Sequence, residues 1–220
     1  GVQLTLEGQR IQASIVVGAD GANSIVKRFL SPSPIVRRHH SAGLRVYYEG
    51  VTGFTKDNFI ELFFFKDILP GYLWVFPMGD GKANVGIGVL SSKVSRHHVD
   101  LKKVLQEKLH SHPLLRERFA NARPLETTKG HGLPLGSKKR VLSGNRFLLL
   151  GDAAGLIDPF TGEGIGNAIR SGRVAAAHLI ESFRRSDFSA AFNRKYDQEI
   201  YRRMWPELKM SHRLQRLVGN

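Results

Sequence analysis

The chain has 220 residues, a net charge of +14 and no cysteine. Its length is sufficient for a full hydrophobic core, and its apolar fraction excludes a disordered or collagen-like chain. The absence of cysteine rules out disulfides, and no apolar run reaches the roughly 20 residues of a membrane span. We therefore expect a globular cytoplasmic protein whose charge favours anionic partners.

The first 30 residues predict a hairpin followed by a strand–turn–helix unit. The alternation of apolar and polar residues from position 2 to 6 is typical of a hairpin strand. Residues 15–17 form an apolar run that precedes Asp20 and Gly21, and residues 24–30 predict a helix. Ser24 can cap that helix. An Asp–Gly turn in isolation is usually no more than a turn.

The next 113 residues, 31–143, predict a mostly antiparallel sheet with helices. The paired prolines of residues 31–34 indicate a linker, because proline fixes extended backbone. Strands are predicted at residues 44–49, 59–65, 72–76 and 83–90, with a hairpin loop at 78–82 and helices at 99–110 and 114–120.

The C-terminal part repeats the strand–turn–helix pattern. Residues 147–150 predict a strand that runs into Gly151, and residues 161–183 predict a long helix. The expected buried face of that helix consists of Ile165, Ala168, Ile169, Gly172, Ala176 and Leu179. We therefore predict an α/β (α+β) fold in which residues 1–30 and 144–185 form one nucleotide-binding, Rossmann-like domain, residues 31–143 an inserted domain and residues 186–220 a basic helical segment.

The turn after residue 150 carries the strongest chemical signal. The carboxyl end of a parallel strand is where ligands of open α/β folds bind, and Asp152 can accept hydrogen bonds from sugar or ribitol hydroxyls there. Residues 162–165 begin the predicted helix with free N–H groups. These donors stabilise negative charge, such as the anion that forms on a reduced flavin.

A second signal lies on the predicted sheet. The period of two places Tyr72, Trp74 and Phe76 on one face of a strand, and Gly86 with Gly88 on one face of the next. If the register brings the two faces together, the glycines leave a slot that suits a long apolar chain. The alternative is an ordinary core strand with a hairpin.

Residues 18–24 and 151–166 together resemble the Asp–Gly and Gly–Asp motifs of the flavoprotein superfamily that contains p-hydroxybenzoate hydroxylase and the geranylgeranyl reductases. The resemblance implies FAD as cofactor and NAD(P)H or another electron donor. The FAD-binding residues that it implies are Asp20, Gly21, Gly151, Asp152, Pro159, Gly162, Gly164 and Ile165, with the first two near the pyrophosphate.

The tract at residues 70–77 is similar to the aromatic motif of the geranylgeranyl reductases. This resemblance implies an oxidoreductase of isoprenoid lipid biosynthesis that reduces carbon–carbon double bonds of a prenyl chain. Substrate contacts are then expected from Tyr72, Trp74, Phe76 and Pro77. No side chain is identified as the proton donor, and no metal site is expected because the paired histidines point apart.

Two alternatives come from other classes of protein. An FAD-dependent aromatic monooxygenase or halogenase shares the Gly–Asp motif, and halogenases carry a related Trp-rich tract. A non-catalytic lipid- or acid-binding module is favoured by the basic charge. Oxygen consumption distinguishes the first alternative from a prenyl reductase, and a G-x-G-x-x-G unit upstream argues against the second.

One feature of the superfamily is not found before Gly1, namely the strand, G-x-G-x-x-G turn and helix that hold the ADP half of FAD. For a chain that starts at Gly1 we expect weak FAD binding, exposed edges at residues 15–17 and 147–150, and pairing as a homodimer. The basic C-terminal segment further suggests peripheral contact with an acidic membrane surface, and no motif indicates nucleic acid.

Overall fold

The computed structural model describes residues 1–219, with the side chain of Leu6 excepted, and the chain divides into two units. The first unit comprises Gly1–His39 and Leu133–Leu217, and the second comprises His40–Gly132 together with the C-terminal residues from Val218. None of the helices among residues 1–219 combines the length and apolarity needed to cross a bilayer.

The N-terminal segment of the first unit forms the predicted hairpin and strand–turn–helix unit. Its elements are β1 (Val2–Leu6), β2 (Gln9–Ala13), β3 (Val16–Gly18) and α1 (Ile25–Leu30). β1 and β2 pair antiparallel. The Ser24 hydroxyl accepts a hydrogen bond from the Lys27 N–H at 2.9 Å, which confirms the predicted cap and satisfies one free amide of the helix start.

The second unit is a mostly antiparallel sheet with three helices. Its elements are β4 (His40–Glu49), β5 (Glu61–Phe63), β6 (Tyr72–Gly79), β7 (Lys82–Leu90), α2 (Ser91–Arg96), α3 (Leu101–Ser111), α4 (Pro113–Arg116), β8 (Arg123–Pro124) and β9 (Lys129–Pro134), of which the last two residues belong to the first unit. The strand order is β5-β6-β7-β4-β8, and β9 pairs with β4. The predicted sheet is therefore confirmed, whereas the second helix is shorter than predicted.

One face of this sheet is covered by α3. Leu101, Leu105 and Leu109 recur every four residues and are all buried, as are Leu73 and Val85 of the sheet. Because side chains alternate along a strand, the residues between these positions lie on the opposite face. That second face carries the aromatic residues of β6.

The C-terminal part of the first unit completes a small sheet and covers it with two long helices. Its elements are β10 (Ser143–Gly144), β11 (Phe147–Leu149), α5 (Ile165–Arg185) and α6 (Ala190–Val218). β11 pairs parallel with β3 and antiparallel with β10. The expectation that residues 147–150 form an exposed edge is therefore wrong, because β11 has a partner on each side.

The predicted domain limits differ from the two units of the structure. Residues 31–39 and 133–143, predicted to belong to the inserted domain, lie in the first unit. The backbone explains this, since the Leu135 N–H donates to the His39 carbonyl at 3.1 Å and β10 joins the sheet of β11. The segment from residue 186 is likewise part of the first unit, where Tyr196, Ile200 and Met204 of α6 are buried.

The start of α5 differs from the prediction by four residues. The helix begins at Ile165 rather than at residue 161. Gly162 has a φ of +72°, and the Asp158 N–H donates to the Glu163 carbonyl at 2.8 Å. In a helix the N–H of a later residue donates to an earlier carbonyl, whereas here the earlier residue, Asp158, is the donor. This hydrogen bond and the left-handed Gly162 form a turn, and the helix begins only after that turn.

The inward face of α5 also differs from the prediction. Ile165 and Ile169, expected in the core, are 76% and 55% exposed, whereas Asn167 and Ser171 are buried. The Asn167 amide donates to the Leu156 carbonyl at 2.8 Å, and the Ser171 hydroxyl accepts from the Gly151 N–H at 3.0 Å. The helix is thus oriented by polar contacts with the preceding turn, because buried backbone groups need partners.

This orientation predicts that Ser171→Ala destabilises the protein more than Ser182→Ala. Both serines are fully buried on α5. Loss of the Ser171 hydroxyl leaves the buried Gly151 N–H without its acceptor, at a cost of about 1–3 kcal/mol. The Ser182 hydroxyl donates only to the His178 carbonyl of its own helix, so its loss costs less. Chemical unfolding of both variants measures the difference, and equal values would contradict this account.

Candidate functional site

A cavity of about 360 Å³ lies where the chain leaves β3 and β11. Its lining residues are Ala19, Gly21, Leu133, Leu150, Gly151, Asp152, Ile157, Gly162, Gly164, Ile165 and Ala168. The two parallel strands end side by side, so the turns that follow them meet at one edge of the sheet. This edge is where ligands bind in open α/β folds, and the volume is within the range of small-molecule sites.

Six of the residues predicted to bind FAD line this cavity: Gly21, Gly151, Asp152, Gly162, Gly164 and Ile165. Asp20 and Pro159 are not among the lining residues. The Asp20 carboxylate accepts hydrogen bonds from the N–H groups of Ile25 and Val26 at 2.7 and 3.2 Å. Its contacts within the first unit therefore hold the start of α1.

The charge of Asp20 is stabilised at this helix start. Partial burial alone would raise the pKa of Asp20, but the hydrogen bond with Ser24 and those from the backbone of Val26 and Ile25 outweigh it. The net effect is a pKa below the usual value of an aspartate. Asp20 thus remains ionised beside the cavity-lining turn at neutral pH.

Small residues bring backbone and carboxylate close together in the cavity wall. Gly151 has a φ of +50°, and a Cβ at this position would lie 2.9 Å from the Cβ of Ala168, so a larger residue is excluded by both conformation and space. A Cβ on Gly164 would lie 2.9 Å from Oδ1 of Asp152. The carboxylate therefore lies against the backbone that leads into α5.

The start of α5 presents hydrogen-bond donors at this cavity. Within the described chain, neither the N–H of Gly164 nor that of Ile165 donates to a protein acceptor. The Gly166 N–H, by contrast, donates to the Glu163 carboxylate at 2.7 Å. Free N–H groups at a helix start favour a ligand atom with negative charge.

The turn from residue 151 to 157 is held by side chains that the sequence analysis did not identify. Besides Asn167 and Ser171, Arg140 binds the carbonyl oxygens of Leu135 and Gly155 at 2.7 and 3.1 Å. Polar residues four positions apart on a helix are a usable sequence signal for Asn167 and Ser171. Arg140 offers no such signal, because its partners are backbone carbonyls, which leave no side-chain pattern in the sequence.

The aromatic face of the second unit is built as the period of two predicted. Trp74 lies opposite Gly86 and Tyr72 opposite Gly88 in the register of β6 and β7. The ring centroid of Trp74 is 6.1 Å from those of Tyr72 and Phe76. The juxtaposition of aromatic residues and glycines is therefore confirmed. Pro77 lies opposite the buried Ala83 and, by alternation, on the other face of the sheet.

The indole of Trp74 is fixed in one orientation. Its Nε1–H donates to Oδ1 of Asn84 at 3.0 Å. A Cβ on Gly86 would overlap Cζ2 of this ring and the carbonyl oxygen of Leu44, so the ring lies directly over Gly86. The sequence analysis missed Asn84, although its position two residues before Gly86 on a strand places it on the same face.

The neighbouring histidines His39 and His40 have different surroundings. Among residues 1–219, no three histidine, aspartate or glutamate side chains come together as a metal site would require. His39 instead contacts Ser137, with Nδ1 2.7 Å from the hydroxyl. His40 similarly lies 3.2 Å from the hydroxyl of Ser91.

Comparison with known proteins places the chain among flavoproteins. Residues 42–131 match the family model of the geranylgeranyl reductase catalytic domain. The chain is 33% identical over 187 residues to the digeranylgeranylglycerophospholipid reductase 2 of Methanopyrus kandleri. The aligned region covers 84% of this chain and 46% of that protein. It is 33% identical to the digeranylgeranylglycerophospholipid reductase of Methanococcus aeolicus, over 94% of this chain and 52% of that protein. The chain thus spans about half the length of the curated relatives it matches.

Solved structures give the same result for the fold. A geranylgeranyl bacteriochlorophyll reductase-like protein from Thermoplasma acidophilum superposes with a TM-score of 0.84 at 28% identity, covering 96% of this chain and 52% of that one. The flavin-dependent halogenase CmlS superposes with a TM-score of 0.70 at 21% identity, covering 92% of this chain and 37% of that one. The second likeness concerns the fold alone.

The contacts of Gly86 predict that Gly86→Ala is far more harmful than Gly88→Ala. The added methyl at position 86 would overlap both the indole and a backbone oxygen, and overpacking of this kind costs about 1–3 kcal/mol. The nearest atom to a Cβ on Gly88 is 3.8 Å away, an ordinary contact. Thermal unfolding and near-UV circular dichroism of the two variants test the prediction. Equal stability of the two variants would show that the indole is not held over Gly86.

Proposed function

Because this chain belongs to the geranylgeranyl reductase family of FAD-dependent oxidoreductases, we propose that the protein reduces carbon–carbon double bonds of a geranylgeranyl or other prenyl chain. The observation that carries the proposal is the glycine-lined cavity at the ends of β3 and β11, in which six of the expected FAD-binding residues meet. The names of the relatives support a prenylated glycerophospholipid as the substrate class.

The residues of the cavity fit a flavin dinucleotide. Gly151 and Gly164 line the cavity without side chains, and Asp152 offers carboxylate oxygens for ribitol hydroxyls. The N–H groups of Gly164 and Ile165 suit the negative charge of a reduced ring system. When bound, FAD would supply the hydride for a prenyl double bond.

The open face of the second unit suits an extended apolar chain. Tyr72, Trp74 and Phe76 provide an aromatic wall, the indole covers Gly86, and Gly88 beside it adds no side chain. The Trp74 ring, which is bound by Asn84 and neighbours the rings of Tyr72 and Phe76, orients a flexible chain at little entropic cost. NAD(P)H or another donor then supplies the electrons.

The decisive experiment follows the reduced flavin without oxygen. The full-length protein, loaded with FAD and reduced by dithionite, is mixed anaerobically with a digeranylgeranylglycerophospholipid, and the flavin absorbance is recorded. We expect reoxidation together with a product that has gained a hydrogen pair per reduced double bond, measured by mass spectrometry. Reoxidation only after oxygen is admitted, with the lipid recovered unchanged, would overturn the proposal.

The position of Asp152 predicts that Asp152→Ala weakens FAD binding by about 1–3 kcal/mol, because a charged hydrogen-bond acceptor is removed from the cavity. Titration of the apoprotein with FAD measures the affinity, and circular dichroism verifies the fold. Asp57→Ala, an exposed site of the second unit, is the matched control and should leave the affinity unchanged. An unaltered affinity in Asp152→Ala would remove this carboxylate from the cofactor site.

The aromatic face predicts a different outcome for Trp74→Ala. Turnover of the prenyl lipid should fall on the order of tenfold or more, about 1.4 kcal/mol, because the wall that orients the chain is lost. Flavin content should stay constant, since Trp74 does not line the glycine cavity. The ratio of flavin absorbance to protein and the steady-state rate measure the two effects. A parallel loss of both would mark Trp74 as a core residue only.

A further inference from the structure

A second cavity lies within the second unit, between its sheet and α3. We call it the α3 cavity, and its volume is about 640 Å³. Residues 44, 46 and 48 of β4 form one wall, Lys102 and Gln106 of α3 form another, and residues 124–128, which join β8 to β9, form the third. This volume is within the range of small-molecule sites.

The α3 cavity lies on the face of the sheet that does not carry the aromatic wall. Val46 is opposite Val85, which is buried on the face covered by α3. The period of two places Leu44 and Tyr48 on the same face as Val46, whereas Trp74 points to the other side. A ligand in the α3 cavity therefore does not occupy the face proposed for the prenyl chain.

Apolar side chains form the floor of the α3 cavity. Val46 and Tyr48 are 1% and 5% exposed, and Leu44 packs against the core beside them. Leu125 lines the cavity from the loop side. Its N–H donates to the carbonyl of Tyr47 at 2.8 Å, which holds the loop against β4. Such a floor favours a ligand with an apolar part, because binding removes apolar surface from water.

Two hydrogen-bond donors at the α3 cavity have no acceptor in the protein. The Gln106 amide donates to the Tyr48 hydroxyl at 2.9 Å, and within residues 1–219 the proton of that hydroxyl is not bound. The ammonium group of Lys102 likewise has no partner in the described part of the chain, where only the backbone N–H of Lys102 is bound, by Asp100. Unused donors favour a ligand that carries acceptors.

The two donors belong to the same part of the cavity. Lys102 and Gln106 are four residues apart on α3, so their side chains lie next to each other on one face of the helix. Gln106 in turn contacts Tyr48. The ammonium group and the hydroxyl therefore flank the Gln106 amide, close enough for one small polar group to bind both.

The charge of the lining also favours an anion. Glu126 is the carboxylate among the lining residues, and both of its oxygens have cationic partners. Arg45 binds Oε1, and the Lys129 ammonium lies 2.8 Å from Oε2. The negative charge of Glu126 is thus neutralised by residues outside the lining, and the positive charge of Lys102 remains without compensation.

We propose that the α3 cavity binds an amphiphile with a carboxylate head and an apolar tail. The carboxylate has two acceptor oxygens for the Lys102 ammonium and the Tyr48 hydroxyl, and one negative charge that matches the lysine. The tail lies against Leu44, Val46 and Leu125. This site is distinct from the glycine cavity and the aromatic wall, and its existence does not depend on the reductase activity proposed above.

The test uses decanoate as the probe, below its critical micelle concentration. Isothermal titration of the full-length, FAD-loaded protein should show one binding site. Decanol, which has the same tail without the charge, should bind on the order of tenfold more weakly, because a charge-assisted hydrogen bond is lost. Decylamine should not bind, since its charge repels Lys102. Absence of decanoate binding, or equal binding of all three compounds, would overturn the proposal.

Substitutions assign the carboxylate to its two donors. Lys102→Met should weaken decanoate binding on the order of tenfold, whereas Lys103→Met, the next residue of α3 and not part of the lining, should not change it. Tyr48→Phe should weaken binding about threefold or more, and Tyr47→Phe should have no effect. Lys102 is exposed, so its variant keeps the test valid if Tyr48→Phe fails to fold. Wild-type affinity in Lys102→Met would refute the site.

The location of the bound probe is measured by NMR. Decanoate should shift the methyl signals of Leu44, Val46 and Leu125 and leave the indole N–H of Trp74 unchanged. A digeranylgeranylglycerophospholipid should not displace it. Displacement by that lipid, together with a shift of the Trp74 signal, would show that decanoate occupies the aromatic face and would refute a separate site. None of these measurements uses turnover, so each result holds whether or not the protein reduces prenyl chains.

Discussion

The parallel pairing of β3 with β11 is the constraint on which the glycine cavity depends. The two strands are only three residues long and come from opposite ends of the chain. Gly18 lies opposite Leu149, and a Cβ there would be 2.8 Å from the Leu149 side chain and 2.9 Å from Val26. The last position of β3 must therefore be a glycine, because a larger residue would prevent α1 from packing against the sheet. Only then do the Asp20–Gly21 and Gly151–Asp152 turns leave the sheet together.

The turn after β11 determines how α5 is oriented. Its backbone donors and acceptors are buried and need partners, and Asn167 and Ser171 provide them. This requirement outweighs the burial of Ile165 and Ile169, which stay exposed. A helix in such a position is therefore oriented by hydrogen bonding to the turn that lines the cavity. Hydrophobic periodicity alone predicts that the helix exists, but it predicts the wrong face to be buried.

The sequence predicted what depends on local pattern. The alternation along β6 and β7 correctly assigned the aromatic residues to one face of β6 and the two glycines to one face of β7, because the period of a strand is the same wherever the strand lies. The register that sets Trp74 opposite Gly86 is seen only in the structure. The sequence also located the turns that line the cavity. It missed Arg140 and the true start of α5, which depend on contacts between distant segments and on the left-handed Gly162. The predicted domain limits did not take account of the pairing of β10 with β11. A strand of two residues is too short to show a recognisable pattern in the sequence.

Local charge balance, rather than net charge, determines how much positive charge this molecule offers to an anionic partner. The basic stretch of α6 attracts attention by composition, yet Arg202 and Arg203 both bind Glu199, and their hydrogen bonds lower the pKa of Glu199 to about 2. Arg170 of α5 pairs with Glu207 in the same way. These arginines are neutralised by neighbours on the helices, and exposed pairs of this kind contribute little free energy. The composition of α6 therefore overstates the positive charge that is available to an anionic partner.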